Sequence, residues 1–248
     1  MMRTGNPALN KKTFQNVGVA DQAGAMTLDG TINKSFLLFF ILLGSAGFVW
    51  NKFFSAQGAV NLMPFIIGGL IGGLIAAIVT IFNKQLAKYS APVYALCEGF
   101  VLGGISAIYE SAYNGIVTQA IALTVGIFLT LLFLYKSRII KPTENFKLGV
   151  VSATGGIAIF YFLSMILGIF GVQMPLIHSN GIFGIGFSLF VVVIAALNLV
   201  LDFDFIETGA EQGAPKYMEW YASFGLLVTL VWLYLEVLRL LVKLNSRR

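Results

Sequence analysis

The sequence predicts an all-α polytopic membrane protein with seven transmembrane helices. Three observations lead there. Of the 248 residues, 58% are hydrophobic and 11% are charged, and the mean hydropathy is +0.86. Soluble domains carry about 25% charged residues, so 16 Lys and Arg with 11 Asp and Glu cannot coat a water-soluble fold of this length. Intrinsic disorder requires the opposite balance, low hydrophobicity with high net charge. Finally, apolar runs near the roughly 20 residues needed to cross a bilayer recur seven times.

Residues 1–34 form a polar arm rich in Gly, Asn, Gln and Thr. They lack the basic-then-apolar order of a signal peptide, and are expected to be a partly disordered cytoplasmic arm that reaches a protein partner. Residues 35–248 form the bundle. The spans run Ser35–Trp50, Leu62–Phe82, Ala91–Tyr109, Ile116–Tyr135, Leu148–Phe170 and Ile182–Phe205. The seventh ends near Leu244 and starts between Trp220 and Leu227. Gly68, Gly69, Gly72 and Gly73 in span two, and Gly99, Gly103 and Gly104 in span three, have the four-residue spacing that lets helix backbones approach in lipid. Eleven basic residues, from Arg3 to Lys216, fall on the side of the N-terminus, against Lys52, Lys243, Arg247 and Arg248 on the other. That bias predicts a cytoplasmic N-terminus.

Several chemistries are excluded. One cysteine, Cys97, makes no intrachain disulfide, and one histidine, His178, makes no multi-histidine zinc site. His178 falls in an outer loop, away from any span that would supply a serine-protease dyad. Lys243 lies too near the end of span seven to be a retinal Schiff base. The glycines at 181, 184 and 186 lack the βαβ setting of a dinucleotide site. The basic residues flank spans, so the net charge of +5 points to the lipid bilayer as partner and not to nucleic acid. No tightly bound cofactor is expected.

Ionisable residues inside spans are the functional candidates. Asp202 follows Asn198 by four residues, on a face that continues through Ala195, Val191 and Ser188 as a small and polar stripe. Asp204 lies roughly 200° round the helix and is expected at headgroups or loop water. Glu236 sits deep in an apolar run, with Arg239 three residues on as a local partner. Two carboxyls brought together in a span would share a proton or hold a hard cation such as calcium. Glu98, at the middle of span three near Tyr94, is a secondary candidate, and Lys84 and Lys88 are basic candidates to pair with Asp202.

The segments "NPAL" (6–9) and "MTLDGTINKS" (26–35), "APVYALCEGFVLGGISAIYE" (91–110) and the long block 197–241 resemble the Bax inhibitor or YccA-like membrane proteins. The likeness is to a mainly bacterial branch with an extended N-terminal arm. It implies seven spans with the last helix central in the bundle, in a bacterial inner membrane. It also implies a pH-sensitive calcium leak governed by one acid each on spans six and seven, which fall by motif on Asp202 and Glu236. The insert around Glu211 to Met218 is expected to form a surface helix. Some relatives instead restrain a membrane-bound AAA protease. The expectation is therefore a pH-sensitive cation leak protein. Its alternatives are a regulatory partner of such a protease and a proton-coupled transporter. None of them is an enzyme.

Overall fold

The computed structural model describes residues 24–171 and 181–246. The expectations for most of the arm and for His178 lie outside these residues. Among the described residues seven helices are long and apolar enough to cross a membrane. They are α1 (Leu28–Ser55), α2 (Met63–Phe82), α3 (Ala87–Ala112), α4 (Ile116–Lys136), α5 (Glu144–Ile169), α6 (Ile182–Glu211) and α7 (Met218–Asn245), with a 3₁₀ turn at Lys84–Leu86 before α3.

Most helices extend past the apolar runs. α1 begins at Leu28, seven residues before the predicted span, because Thr27 caps it: its Oγ1 accepts the Gly30 N–H at 3.0 Å, and Asp29 sits in the first turn where the helix dipole favours an acid. At 1.5 Å per residue the 28 residues reach about 42 Å, beyond a hydrocarbon core of about 30 Å. The polar first turns belong to the helix but not to the apolar run. Burial is shared by the third, sixth and seventh spans, each 56% buried over its most apolar window, against 11% for α5.

The chain divides into two compact units. One comprises α1 to α3 with residues 206–228. Its helices approach closely at glycines. A Cβ on Gly69 would stand 2.6 Å from the Cys97 carbonyl oxygen, and Cβ atoms on Gly99 and Gly103 would collide with the Leu42 and Ala46 carbonyls. Gly68 has open space instead, so only part of the span-two glycine motif is contact surface. Thr80 Oγ1 donates to Ser90 Oγ at 2.6 Å across the α2–α3 turn. Residues 24–26 lie against 214–216 through Met26 N–H to Ala214 O (2.6 Å) and Lys216 N–H to Gly24 O (2.8 Å).

The expected surface helix between α6 and α7 is not formed. α6 continues to Glu211 and stops in a Schellman turn. Gly213 takes φ +63°, its N–H bonds Ala210 O at 3.2 Å, and Ala214 N–H bonds Gly209 O at 3.1 Å. Pro215 follows, and α7 starts at Met218. Six residues remain, too few for another helix.

Among the described residues, the other unit comprises 115–171, 181–205 and 229–246. Ile157, Val191 and Ile194 form a core onto which Tyr161, Phe187 and Trp232 pack. Phe203 packs against both Phe128 and Tyr135, each with its ring centroid 5.7 Å away.

Candidate functional site

The polar stripe predicted on α6 is buried along its length: Ser188, Val191, Ala195, Asn198 and Asp202 are all 2% exposed or less. Asn198 Nδ2 donates to Thr154 Oγ1 on α5 and to Ile194 O, both at 2.8 Å. Its Oδ1 and both carboxyl oxygens of Asp202 are buried with no partner. Thr229 on α7 faces Asp202, without closing a well-formed hydrogen bond to either oxygen. Three acceptor oxygens one helical turn apart thus lie in the interior without a well-formed hydrogen bond. Buried polar groups are nearly always paired, and an isolated ionised carboxylate in such a place is costly.

Glu236 is equally buried, at 2%, but is fully engaged. Tyr161 Oη donates to its two oxygens at 3.0 and 3.2 Å. Arg239 Nη1 donates to both at 2.9 and 3.0 Å, and to Tyr161 Oη at 2.7 Å. Arg239 also lies over the Tyr161 ring, 5.2 Å from its centroid. One turn further on, Lys243 is 4% exposed and donates to Gly184 O (3.0 Å) and Ser188 Oγ (2.9 Å). Lys243, read from sequence as a flanking charge, is a buried part of α7.

The carboxyls of Asp202 and Glu236 therefore have different neighbours. Thr229 stands at the level of Asp202, and Glu236 comes seven residues later, about 10 Å along the helix. The structure joins Glu236 to Tyr161 and Arg239, and Asp202 to the Asn198–Thr229 level.

The remaining candidates are dispersed. Asp204 pairs with Lys147 of α5 at 2.5 Å and is 19% exposed. This answers the expectation of loop water with an ion pair. Glu98 is partly buried in α3, one turn from Tyr94, which packs edge-on against Phe224 at 4.9 Å. Lys84 lies over the Tyr221 ring at 5.7 Å and Lys88 over the Tyr89 ring at 4.7 Å. Among the described residues no three His, Cys, Asp or Glu gather as a metal site.

Sequence reading missed Tyr161, Thr154, Lys147 and Glu219, whose partners are far along the chain. Lys243 carried a signal: positions 236, 239 and 243 share one helix face. Glu219 is fully buried. It accepts from Thr27 N–H and Oγ1, each at 3.0 Å, and forms an ion pair with Lys34.

Seven apolar spans with orphaned and paired acids buried along the last two define an integral membrane protein of the multi-pass helical class. The profile of one family, described as Bax inhibitor 1 like, matches residues 6–246, and the chain belongs to that family. Comparison with curated proteins and with solved structures gives no match.

Proposed function

We propose that the protein is a pH-sensitive cation leak pathway, with calcium as a permeant ion, in which Asp202 is the responsive group. The observation that supports it is the fully buried Asp202 carboxyl, faced by Thr229 but with no well-formed hydrogen bond to either oxygen among the described residues. With a proton on it, the carboxyl suits its setting beside Asn198 and Thr229. Losing that proton leaves an uncompensated charge among acceptor oxygens, and entry of a cation or water relieves it. Glu236 acts in series further along α7, where Arg239 and Tyr161 hold it. Neutralising Glu236 frees the guanidinium and adds repulsion to passing cations. This reading assigns no catalysed reaction. The excess of basic flanks on the N-terminal side supports a cytoplasmic N-terminus.

The test is ion flux into liposomes carrying the purified protein and a calcium dye, stepping the pH across neutrality. Flux is expected to fall on acidification. Asp202→Asn should abolish that dependence, and Glu236→Gln should lower flux at every pH. Flux no greater than in empty liposomes, or a pH profile unchanged by Asp202→Asn, overturns the reading. The arm at residues 1–34 would then become the feature to pursue, as the reach to a protein partner such as a membrane protease.

A further inference from the structure

Between α2 and α3, within one compact unit, runs a groove of about 410 Å³. Gly72, Ile75, Ala76 and Val79 line it from α2, with Tyr89 and Val93 from α3. It exists because Gly72 and Ala76, one turn apart, put almost no side chain on that face. A Cβ on Gly72 would sit 2.8 Å from Cys97 Sγ, so the floor is already at contact. The walls offer little to a polar ligand. Ser90, which also lines the groove, spends its hydroxyl on Leu86 O at 3.0 Å and accepts from Thr80. Ile75, Tyr89 and Val93 are 57%, 64% and 52% exposed, and an occupant would cover them.

One end of the groove is basic. Tyr89 lines it, and the exposed Lys88 holds its ammonium 4.7 Å over the Tyr89 ring. Lys84 precedes in the same turn. The chain from Gly30 to Cys97 contains no Asp or Glu, so both helices that wall the groove lack a negative charge up to that point. An apolar trough ending at a cation on the rim of a spanning helix pair has the layout of a phospholipid, with the acyl chain along the trough and the phosphate at the ammonium.

We propose that this groove is a specific site for one anionic phospholipid, whose phosphate Lys88 takes and whose acyl chain lies against Gly72, Ala76 and Val93. The site is separate from Asp202 and does not depend on the leak reading. One lysine near an anionic membrane lipid accounts for about a fivefold preference.

The experiment is native mass spectrometry of the protein released from nanodiscs of equal phosphatidylglycerol and phosphatidylcholine. The wild type is expected to retain phosphatidylglycerol over phosphatidylcholine about fivefold. Lys88→Gln should remove that preference while lipid is still retained. Val93→Phe, at an exposed position, should fill the trough and reduce retention of both lipids, with the melting temperature of each variant confirming that it is folded. Equal retention of the two lipids by the wild type, retention unaffected by Val93→Phe, or a lipid-free dimer showing that a second copy covers the groove would each overturn the proposal.

Discussion

Glu219 and Asp202 are both fully buried acids, one near the start of α7 and the other towards the end of α6. Glu219 is satisfied by the Thr27 backbone, the Thr27 hydroxyl and the Lys34 ammonium. Asp202 has no counter-charge and no well-formed hydrogen bond to either oxygen among the described residues. Equal burial therefore conceals opposite surroundings. A buried charge with its counter-charge and donors in place is part of the fold, and removing one partner leaves the other exposed to a low dielectric. A buried acid with no counter-charge adds little to cohesion, and in a membrane span it is the kind of group that the reading proposed above puts to use.

The sharpest way to break the comparison is at Glu219. Glu219→Gln should lower stability by about 3 kcal/mol, the low end for breaking a buried pair, because Lys34, 19% exposed at its side chain, keeps some access to water. Thermal unfolding in nanodiscs measures it. A double cycle with Lys34→Met should recover much of the loss, since the uncompensated ammonium is then gone. A Glu219→Gln variant as stable as the wild type would mean that this pair does no more than Asp202 does.

A gentler disturbance leaves the charge untouched. A Cβ on Gly30 would stand 2.7 Å from Glu219 Oε2 and closer still to Oε1, so Gly30→Ala must push the carboxylate off its donors. Hydrogen bonds to a charged group are worth about 1.5–3 kcal/mol, whereas Ala gains about 1 kcal/mol over Gly in a helix. The loss wins, and Gly30→Ala should be destabilised by about 1 kcal/mol in the same melt. A stabilised variant would show that Glu219 moves without cost, and that its contacts are incidental.

The contrast between these acids was only half legible in the sequence. Asp202 could be placed in the interior because Ser188, Ala195 and Asn198 write a small and polar stripe on an otherwise bulky helix. The seven spans followed from hydropathy, but the true ends of α1 and α6 did not. Thr27 starts a helix and Gly213 stops one by local hydrogen bonding, which hydropathy does not register. Glu219 sat beside Trp220 in a polar lead-in and gave no sign of burial, since its partners lie 185 and 192 residues away. The same distance problem concealed Tyr161 as the partner of Glu236. Helix rotation sets those pairings, and spacing within one helix carries no information about the rotation of another.

The smallest expected effect tests the other half of the comparison. Asp202→Asn replaces a buried acid by a neutral side chain of the same shape. Little is lost from the carboxyl side, because neither oxygen makes a well-formed hydrogen bond, and Asn brings two donors to a place where Asn198 Oδ1 also lacks one. A new hydrogen bond there would contribute about 1 kcal/mol, and an amide donor left without a partner would cost a similar amount. The melt of Asp202→Asn should therefore stay within about 1 kcal/mol of the wild type, in contrast to the threefold larger change at Glu219. Asp202→Leu separates the two terms, since it removes every polar atom at 202 and leaves only the packing change. If Asp202→Asn fell as far as Glu219→Gln, the carboxyl would have to be holding a stabilising counter-charge. Asp202 would then belong with Glu219 as a piece of the scaffold, and its protonation would have no leverage on ion entry.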